Sequence, residues 1–199
     1  VLDALGICRL GVPGYEADDV IGTLASAATC PTEIVTGDRD LFQLVEDARG
    51  VTVLYIVKGV GNAEVIGDAE ITRRYGIPGR SYADFATMRG DPSDGLPGVP
   101  GVGDKTAAAL LREFGTLDGI LTAAEVSDVG FPRGSHAKIM AAAGYIGPAR
   151  EVVAVARDVP VGDIDSRLPR EPREPDALGA LCDRWGLTSS VERVLDALA

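Results

Sequence analysis

Hydrophobic residues in the first third of the chain recur first at helical spacing and then at strand-like spacing. Residues 15–28 place apolar side chains on one helical face: Val20, Ile21, Leu24 and Ala25. Residues 34–36 form a short apolar segment, and residues 51–57 form a continuous β-branched run typical of parallel strands covered on both faces. The pattern predicts a core of the α/β class, in which ligands collect at the carboxyl ends of the strands.

From about residue 68 onward the apolar spacing becomes helical. It predicts a helix over residues 69–75 that ends at Gly76, and another that opens at a capping box formed by Ser81 and Asp84. Further helices are predicted over residues 104–114, 135–143, 148–156, 175–185 and 189–198. Because the pattern changes here, we expect one domain over residues 1–75 and a second over residues 76–199.

Composition narrows the class of protein. Hydrophobic residues make up 46% of the chain and charged residues 25%, as in an ordinary soluble protein. The sequence carries no apolar run near the roughly 18 residues that span a bilayer, and no secretory signal at its first residues. Three scattered cysteines without a C-x-x-C pair indicate a reducing cytosol and argue against structural zinc. We therefore expect a cytoplasmic protein with no membrane partner.

The formal net charge of −11 is unusual for a partner of nucleic acid, but seven of the acids fall in three short motifs. These acids are Glu16, Asp18 and Asp19, then Asp38 and Asp40, and then Asp91 and Asp94. Each motif alone has a plain structural explanation, as a helix N-terminus or as a turn. A tight carboxylate cluster repels itself unless cations fill it, so the three motifs together predict bound divalent metal.

The donor set narrows the metal and its chemistry. Hard oxygen ligands without His or Cys nearby favour Mg²⁺ or Mn²⁺ over zinc. Several carboxylates can hold two such ions, which would clamp the attacking and leaving oxygens of a phosphodiester. This chemistry needs no side-chain nucleophile, and the single histidine, His136, has no matching Ser or Cys motif. We expect Asp38, Asp40 and Asp91 to be the catalytic acids.

A run rich in Gly and Pro over residues 95–103 leads directly into the predicted helix over residues 104–114. Closely spaced glycines let a backbone approach a phosphate, and a helix N-terminus offers free N–H groups. Lys105 in the first turn is unfavourable for the helix dipole, which indicates an external anion. The spacing matches neither a P-loop nor a dinucleotide-binding fingerprint. The run therefore predicts a phosphate-binding hairpin, with a flexible loop as the structural alternative.

The segments GYEADD, TGDRDL and GDPSDGLPGVPGVGDKTA occur in the order seen in bacterial 5′–3′ exonucleases. The chain resembles this family, which is related to the 5′-nuclease domain of DNA polymerase I and to flap endonucleases. The resemblance implies an α/β fold: a PIN-like parallel sheet core with an appended helix–three-turn–helix (helix–hairpin–helix) domain. It also assigns all seven acids named above to the family's metal site.

The resemblance further implies how DNA is held. The hairpin would grip duplex DNA by its phosphates and hold K⁺ through backbone carbonyls. The residues implied in DNA binding are Gly98, Gly101, Val102, Gly103, Lys105 and Thr106. In one departure from the family, Gly95 stands where many members have Asn. In another, the family's first strand, two more acidic ligands and a basic arch are expected upstream of Val1.

We expect a metal-dependent 5′–3′ exonuclease or flap endonuclease that hydrolyses DNA at 5′ ends in replication and repair. Its expected partner is duplex DNA with a 5′ flap, a nick or a free end, bound by a monomer in the bacterial cytoplasm at the nucleoid. One alternative is a non-catalytic helix–hairpin–helix module, but self-repelling carboxylates would be of no use to it. Another is a metal-dependent phosphatase or PIN ribonuclease, for which a hairpin suited to duplex DNA has no role.

Overall fold

The computed structural model describes the backbone of residues 1–199 and every side chain except that of Ser93. The chain divides into two compact units, one made of residues 1–20 and 159–199 and the other of residues 21–158. Each unit contains its own hydrophobic core. The acids of the second and third motifs and the glycine-rich hairpin all belong to the unit over residues 21–158, which is called the second unit below.

A small mixed sheet opens the second unit. Its strands are β1 (Thr32–Thr36), β2 (Val51–Tyr55) and β3 (Glu64–Ile66), in the spatial order β1-β2-β3. Strand β1 runs parallel to β2, and β2 runs antiparallel to β3. The two predicted apolar segments are therefore strands that lie side by side, and β3 is an element that the apolar pattern missed.

The core covers one face of this sheet. One row of paired residues is at most 5% exposed: Ile34, Val53 and Ile66. The next row lies on the opposite face, and its two outer members are 56% and 63% exposed: Val35, Leu54 and Val65. The expectation of a strand covered on both faces is wrong within the described chain, because a β-branched run reports strand propensity and not burial on both sides.

Helix α2 (Ala17–Ala27) begins in the first unit and ends in the second. The rest of the second unit is mainly helical. In chain order its further helices are α3 (Asp68–Tyr75), α4 (Tyr82–Arg89), α5 (Asp104–Phe114), α6 (Leu117–Val126), α7 (Ser135–Ala141) and α8 (Ala143–Val153). Helix α4 packs against α5 and α8, and α6 packs against α5 and α7. The predicted helix over residues 104–114 matches α5 residue for residue, and α6 was not predicted.

The core of the second unit contains a cluster of aromatic side chains. Phe42, Tyr82 and Phe85 are fully buried, with ring centroids 5.5 Å apart for the first pair and 6.0 Å for the second. Phe42 belongs to the 3-10 helix Asp40–Leu44 that follows β1, and the other two rings belong to α4. This packing therefore brings the end of β1 close to α4, which leads into the third acidic motif.

The capping box predicted at the start of α4 is wrong. Ser81 ends a 3-10 turn at φ −95° and ψ 3°, and its side chain makes no cap hydrogen bond. Asp84 instead accepts a hydrogen bond from the N–H of Leu117 at 2.9 Å, so it caps the neighbouring helix α6. Thr116 provides the second cap of α6 by accepting from the N–H of Gly119 at 3.1 Å. Asp84 thus makes a tertiary hydrogen bond to α6 and not the local cap of its own helix that the sequence predicts.

The first unit contains α1 (Leu2–Leu5), the start of α2, α9 (Pro175–Trp185) and α10 (Thr188–Leu198). Its core is formed by α1, α9 and α10. Its small core contains buried side chains from all three helices: Ala4, Leu5, Leu178, Cys182 and Val191. The two predicted C-terminal helices are confirmed, one with the predicted bounds and one starting a residue earlier.

Two backbone segments approach each other closely where α4 ends. Gly90 and Gly98 have positive φ angles of 81° and 70°. A Cβ atom on Gly98 would lie 2.4 Å from the carbonyl oxygen of Arg89, closer than real Cβ contacts. The N–H of Val99 donates to the carbonyl oxygen of Met88 at 2.8 Å. This contact fixes the start of the hairpin against α4 and requires glycine at both positions.

We predict that Gly98→Ala lowers the free energy of unfolding by about 2–4 kcal/mol, because a left-handed backbone and an overlap with backbone atoms are both unfavourable. Gly103→Ala is the matched control, since Gly103 has φ −99° and its Cβ would meet nothing within 4 Å. Urea denaturation measures both variants. Equal stability of the two would contradict the close contact.

Candidate functional site

Three carboxylates from two parts of the second unit converge in space. One oxygen from each of Asp40, Asp91 and Asp94 lies within 4.8 Å of the others, and these residues are called the acidic cluster below. Asp40 begins the 3-10 helix that follows β1, at the carboxyl end of a parallel strand. Asp91 follows α4, and Asp94 ends the 3-10 turn Pro92–Asp94. The cluster therefore lies where open α/β sheets place their ligands.

The turn that carries Asp91 and Asp94 is fixed by its own backbone. The carbonyl oxygen of Asp91 accepts the N–H of Asp94 at 3.2 Å and the N–H of Leu96 at 2.9 Å. Asp91 is only 5% exposed, whereas Asp94 is exposed. The cluster thus has one buried carboxylate and one that faces solvent, which is the arrangement of a site open on one side.

Asp38 stands beside the cluster in a different role. Its Oδ1 accepts the N–H of Asp40 at 2.9 Å, and its own N–H donates to Oγ1 of Thr36 at 2.9 Å. The chain turns at Arg39, with φ −77° and ψ −17°, so Asp38 and Asp40 are not on one face of an extended segment. Asp38 still lies close enough for its charge to raise the pKa of Asp40. Its place in a metal site stays a prediction.

The protonation of Asp40 is strongly perturbed. Burial and the negative charges of Asp38, Asp91 and Asp94 together raise the pKa of Asp40 to about 6. Among the described atoms, Oδ1 of Asp40 is buried without a hydrogen-bond partner. A buried carboxylate oxygen beside two other carboxylates is costly unless a cation is bound. The cluster therefore fits a hard divalent cation with oxygen ligands.

Two arginines that the sequence motifs did not indicate contact the acidic cluster. Nη2 of Arg39 lies 2.5 Å from Oδ2 of Asp91, and Nη2 of Arg89 lies 3.8 Å from the same oxygen. Arg39 sits between two acids of the second motif, and Arg89 precedes the third motif by one residue. The only sequence signal was therefore a basic residue inside or next to an acidic motif.

The first acidic motif lies in the first unit, at the N-terminus of α2. Oδ2 of Asp19 accepts the N–H of Glu16 at 3.0 Å, while Asp18 and Asp19 occupy the first helical turn. This geometry is that of acids complementing a helix dipole. Their role as metal ligands stays a prediction.

The hairpin over residues 98–103 is held by the helices around it. Oη of Tyr145 accepts the N–H of Gly98 at 2.9 Å, and Nζ of Lys138 donates to the carbonyl oxygen of Gly101 at 2.8 Å. Val102 is 3% exposed, so its side chain packs in the core, and its N–H donates to the carbonyl oxygen of Val99 at 2.9 Å.

The hairpin leads into the N-terminus of α5. Gly103 is the N-cap and supplies no side chain to the first turn, in which Lys105 is exposed and Thr106 half-buried. The carbonyl oxygen of Gly103 accepts the N–H groups of Thr106 and Ala107 at 2.9 and 3.0 Å. The earlier N–H groups of this turn are those that anions bind at helix N-termini.

Two family models match consecutive parts of the chain. Residues 1–76 match the 5′–3′ exonuclease N-terminal resolvase-like domain, and residues 77–176 match the 5′–3′ exonuclease C-terminal SAM fold. The chain belongs to the 5′–3′ exonuclease family. The expected family is therefore confirmed on both halves of the molecule.

Curated members of the 5′–3′ exonuclease family align with the whole chain. A 5′–3′ exonuclease of Streptomyces coelicolor is 55% identical over 198 residues, which are 100% of this chain and 66% of that protein. A 5′–3′ exonuclease of Mycobacterium tuberculosis is 47% identical, with 65% of its length covered. DNA polymerase I of Mycobacterium bovis is 41% identical over 203 residues, with 22% covered. The chain thus spans slightly less than two thirds of the length of these two 5′–3′ exonucleases.

Solved structures confirm the expected fold class for this 5′–3′ exonuclease family member. The T5 D15 protein, co-crystallised with metal ions, superimposes with a TM-score of 0.61 at 15% identity, covering 95% of this chain and 60% of that one. The catalytic core of Rad2 in complex with DNA gives a TM-score of 0.57 at 18% identity, covering 100% and 64%. The fold is a resolvase-like α/β core followed by a SAM-like helical part.

We predict that Asp40→Asn stabilises the metal-free protein near pH 7.5 and not below about pH 4. The pKa of Asp40 is raised from 3.8 to about 6, so the folded wild type loses stability as the pH rises through this window. The neutral amide removes that loss, roughly 1–2 kcal/mol after allowance for solvent screening.

Thermal unfolding in EDTA across this pH range measures the effect. Asp118→Asn is the control, because Asp118 lies outside the acidic cluster and its side chain is 69% exposed. A gain that is independent of pH, or that grows as the pH falls, would contradict the assigned environment of Asp40.

Proposed function

We propose that the chain carries the catalytic centre of a metal-dependent 5′–3′ exonuclease or flap endonuclease that hydrolyses DNA phosphodiesters. The observation that carries this proposal is the acidic cluster, with its buried and unpartnered Asp40 oxygen among the described atoms, in a chain of the 5′–3′ exonuclease family. The division into a nuclease core over residues 1–75 and a helical DNA-binding region over residues 76–199 is part of the proposal.

The metal would be Mg²⁺ or Mn²⁺, as two ions. The residues proposed to hold it are Asp40, Asp91 and Asp94 of the acidic cluster, together with Asp38, Glu16, Asp18 and Asp19. When bound, such ions activate a water molecule and neutralise charge on the leaving oxygen. Asp38, Asp40 and Asp91 are the proposed catalytic acids. Asp91 is the best positioned of them, because its burial and two backbone hydrogen bonds hold it in place.

The hairpin and the start of α5 are the proposed clamp for duplex DNA with a 5′ flap, nick or free end. The left-handed Gly98 and Gly101 shape the turn, and the N-terminus of α5 offers N–H groups to a phosphate. The residues proposed to contact DNA are Gly98, Gly101, Val102, Gly103, Lys105 and Thr106. Contacts of this type read backbone and shape, so no base specificity is expected.

The hairpin also bears on the proposed potassium ion. The carbonyl oxygen of Gly101 accepts a hydrogen bond from Nζ of Lys138, whose positive charge disfavours a K⁺ ion at that oxygen and favours the other backbone carbonyls of the hairpin. The protein is proposed to act as a monomer in the bacterial cytoplasm, at the nucleoid. No helix among the described residues has the length and apolarity to cross a bilayer.

A non-catalytic DNA-binding module is the alternative. It would explain the hairpin, but a pure binding module gains nothing from three converging carboxylates in the same unit as that hairpin. The perturbed pKa of Asp40, raised by burial and by its acidic neighbours, is typical of functional sites. The nuclease is therefore the better supported of the two.

We predict that the chain releases short 5′ products from a 5′-labelled flap duplex in Mg²⁺ and not in EDTA. An Asp40→Asn, Asp91→Asn double variant should lower the cleavage rate by more than about a hundredfold. Loss of a residue that only hydrogen-bonds to a metal ligand lowers activity by about 10- to 100-fold, and this variant loses two proposed ligands themselves. Asp118→Asn is the matched control, because Asp118 is not part of the acidic cluster. Its Oδ1 lies 2.6 Å from Nη1 of Arg150.

Binding of the same duplex, measured alongside by fluorescence anisotropy, separates the two functions. Full binding without cleavage, by wild type and double variant alike, would favour the non-catalytic module. Cleavage that survives EDTA or the double substitution would contradict the metal centre.

A further inference from the structure

The two arginines at the acidic cluster are held in very different ways. The side chain of Arg89 is 13% exposed, and its guanidinium lies 5.3 Å from the ring centroid of Phe85. Its Nε donates to the carbonyl oxygen of Gly90 at 3.2 Å. Packing and hydrogen bonding thus fix Arg89 at the end of α4, and its 3.8 Å approach to Asp91 belongs to the folded core.

Arg39 reaches the same carboxylate from the solvent side. Its side chain is 42% exposed, and Nη2 donates to Oδ2 of Asp91 at 2.5 Å across 52 residues of sequence. Among the described residues this is the hydrogen bond that holds the Arg39 side chain. A long, partly hydrated side chain with a single anchor can leave its partner for the cost of one ion pair.

The ion pair between Arg39 and Asp91 affects the charge of the whole acidic cluster. The hydrogen bond to Asp91 is the main cause that raises the pKa of Arg39, and the positive charge of Arg39 lowers the pKa of Asp40. Arg39 therefore neutralises part of the acidic cluster when no other cation is near. A divalent cation bound to the cluster would repel the guanidinium and compete with it for Asp91.

We propose that Arg39 is a displaceable internal counter-ion, which holds Asp91 until a divalent cation enters the acidic cluster and then gives this carboxylate up. Arg39 thereby sets the metal concentration at which the site fills, while Arg89 stays in place in both states. The inference rests on the proposed metal centre and adds to it a residue that tunes metal affinity.

The proposal makes opposite demands on the two states of the protein. Without metal, Arg39→Gln leaves the carboxylates with less compensation, so the melting temperature in EDTA falls. With metal, the variant has no competing cation, so Mn²⁺ binds at least about tenfold more tightly. The difference in melting temperature disappears or reverses at saturating Mn²⁺. If the pair of Arg39 with Asp91 were an ordinary structural ion pair, its loss would destabilise the protein equally with and without metal.

Isothermal titration of the 199-residue chain with MnCl₂ alone, paired with thermal unfolding in EDTA and in Mn²⁺, measures these effects. Arg39→Lys keeps the charge and should bind Mn²⁺ like the wild type. Arg73→Gln is the matched control, because it removes the same charge from an ion pair with Glu70 on α3. Its Mn²⁺ affinity should stay at the wild-type value.

Chemical modification of arginines tests the proposal on the wild-type protein, without any substitution. Phenylglyoxal modifies accessible arginines, and mass spectrometry locates the product. Arg39 should react faster in Mn²⁺ than in EDTA because it has left Asp91, while Arg89 stays protected in both. Equal or slower modification of Arg39 in Mn²⁺ would overturn the proposal.

The titration distinguishes the ways in which the account can fail. Weaker Mn²⁺ binding by Arg39→Gln would mean that Arg39 orients Asp91 for the metal and does not leave it. Unchanged affinity, as in Arg73→Gln, would make Arg39 a bystander. Either result, with the wild type binding Mn²⁺ and cleaving DNA, overturns this inference alone. No Mn²⁺ binding by any of these proteins would overturn the metal centre itself.

Discussion

The close backbone contact between the end of α4 and the start of the hairpin constrains everything around it. Gly90 and Gly98 have positive φ angles, and the nearby backbone atoms leave no room for a Cβ at either position. The chain between them carries Asp91 and Asp94, and the hairpin follows it directly. One contact thus sets the position of both the acidic cluster and the surface proposed to hold DNA. A shift of this contact would move both sites together.

Electrostatics then gives the cluster its character. Burial and three neighbouring acids raise the pKa of Asp40, and one oxygen of that residue has no hydrogen-bond partner among the described atoms. The two arginines relieve part of this repulsion by contacting Asp91. The site is therefore unfavourable by itself and is stabilised by any cation that enters it, which links protein stability to metal binding.

Local patterns in the sequence predicted what local forces decide. Helix α5 is bounded by Gly103 and Gly115 and was predicted to the residue, and the order of acidic motifs and hairpin indicated the family. Helix α6 was missed although Thr116 caps it locally, and its second cap, Asp84, comes from a different helix. The pairing of Arg39 with Asp91 joins residues 52 apart, and no single-sequence pattern reports such a contact. Tertiary contacts therefore account for the arginine pairing and for one of the two caps of α6.

The most direct test of the central claim is to locate the metal. Crystals of the chain soaked in Mn²⁺ should give an anomalous-scattering peak within bonding distance of carboxylate oxygens of Asp40, which follows β1, and Asp91, which follows α4. Mn²⁺ found only elsewhere, with Asp91 still paired to Arg39, would contradict the account.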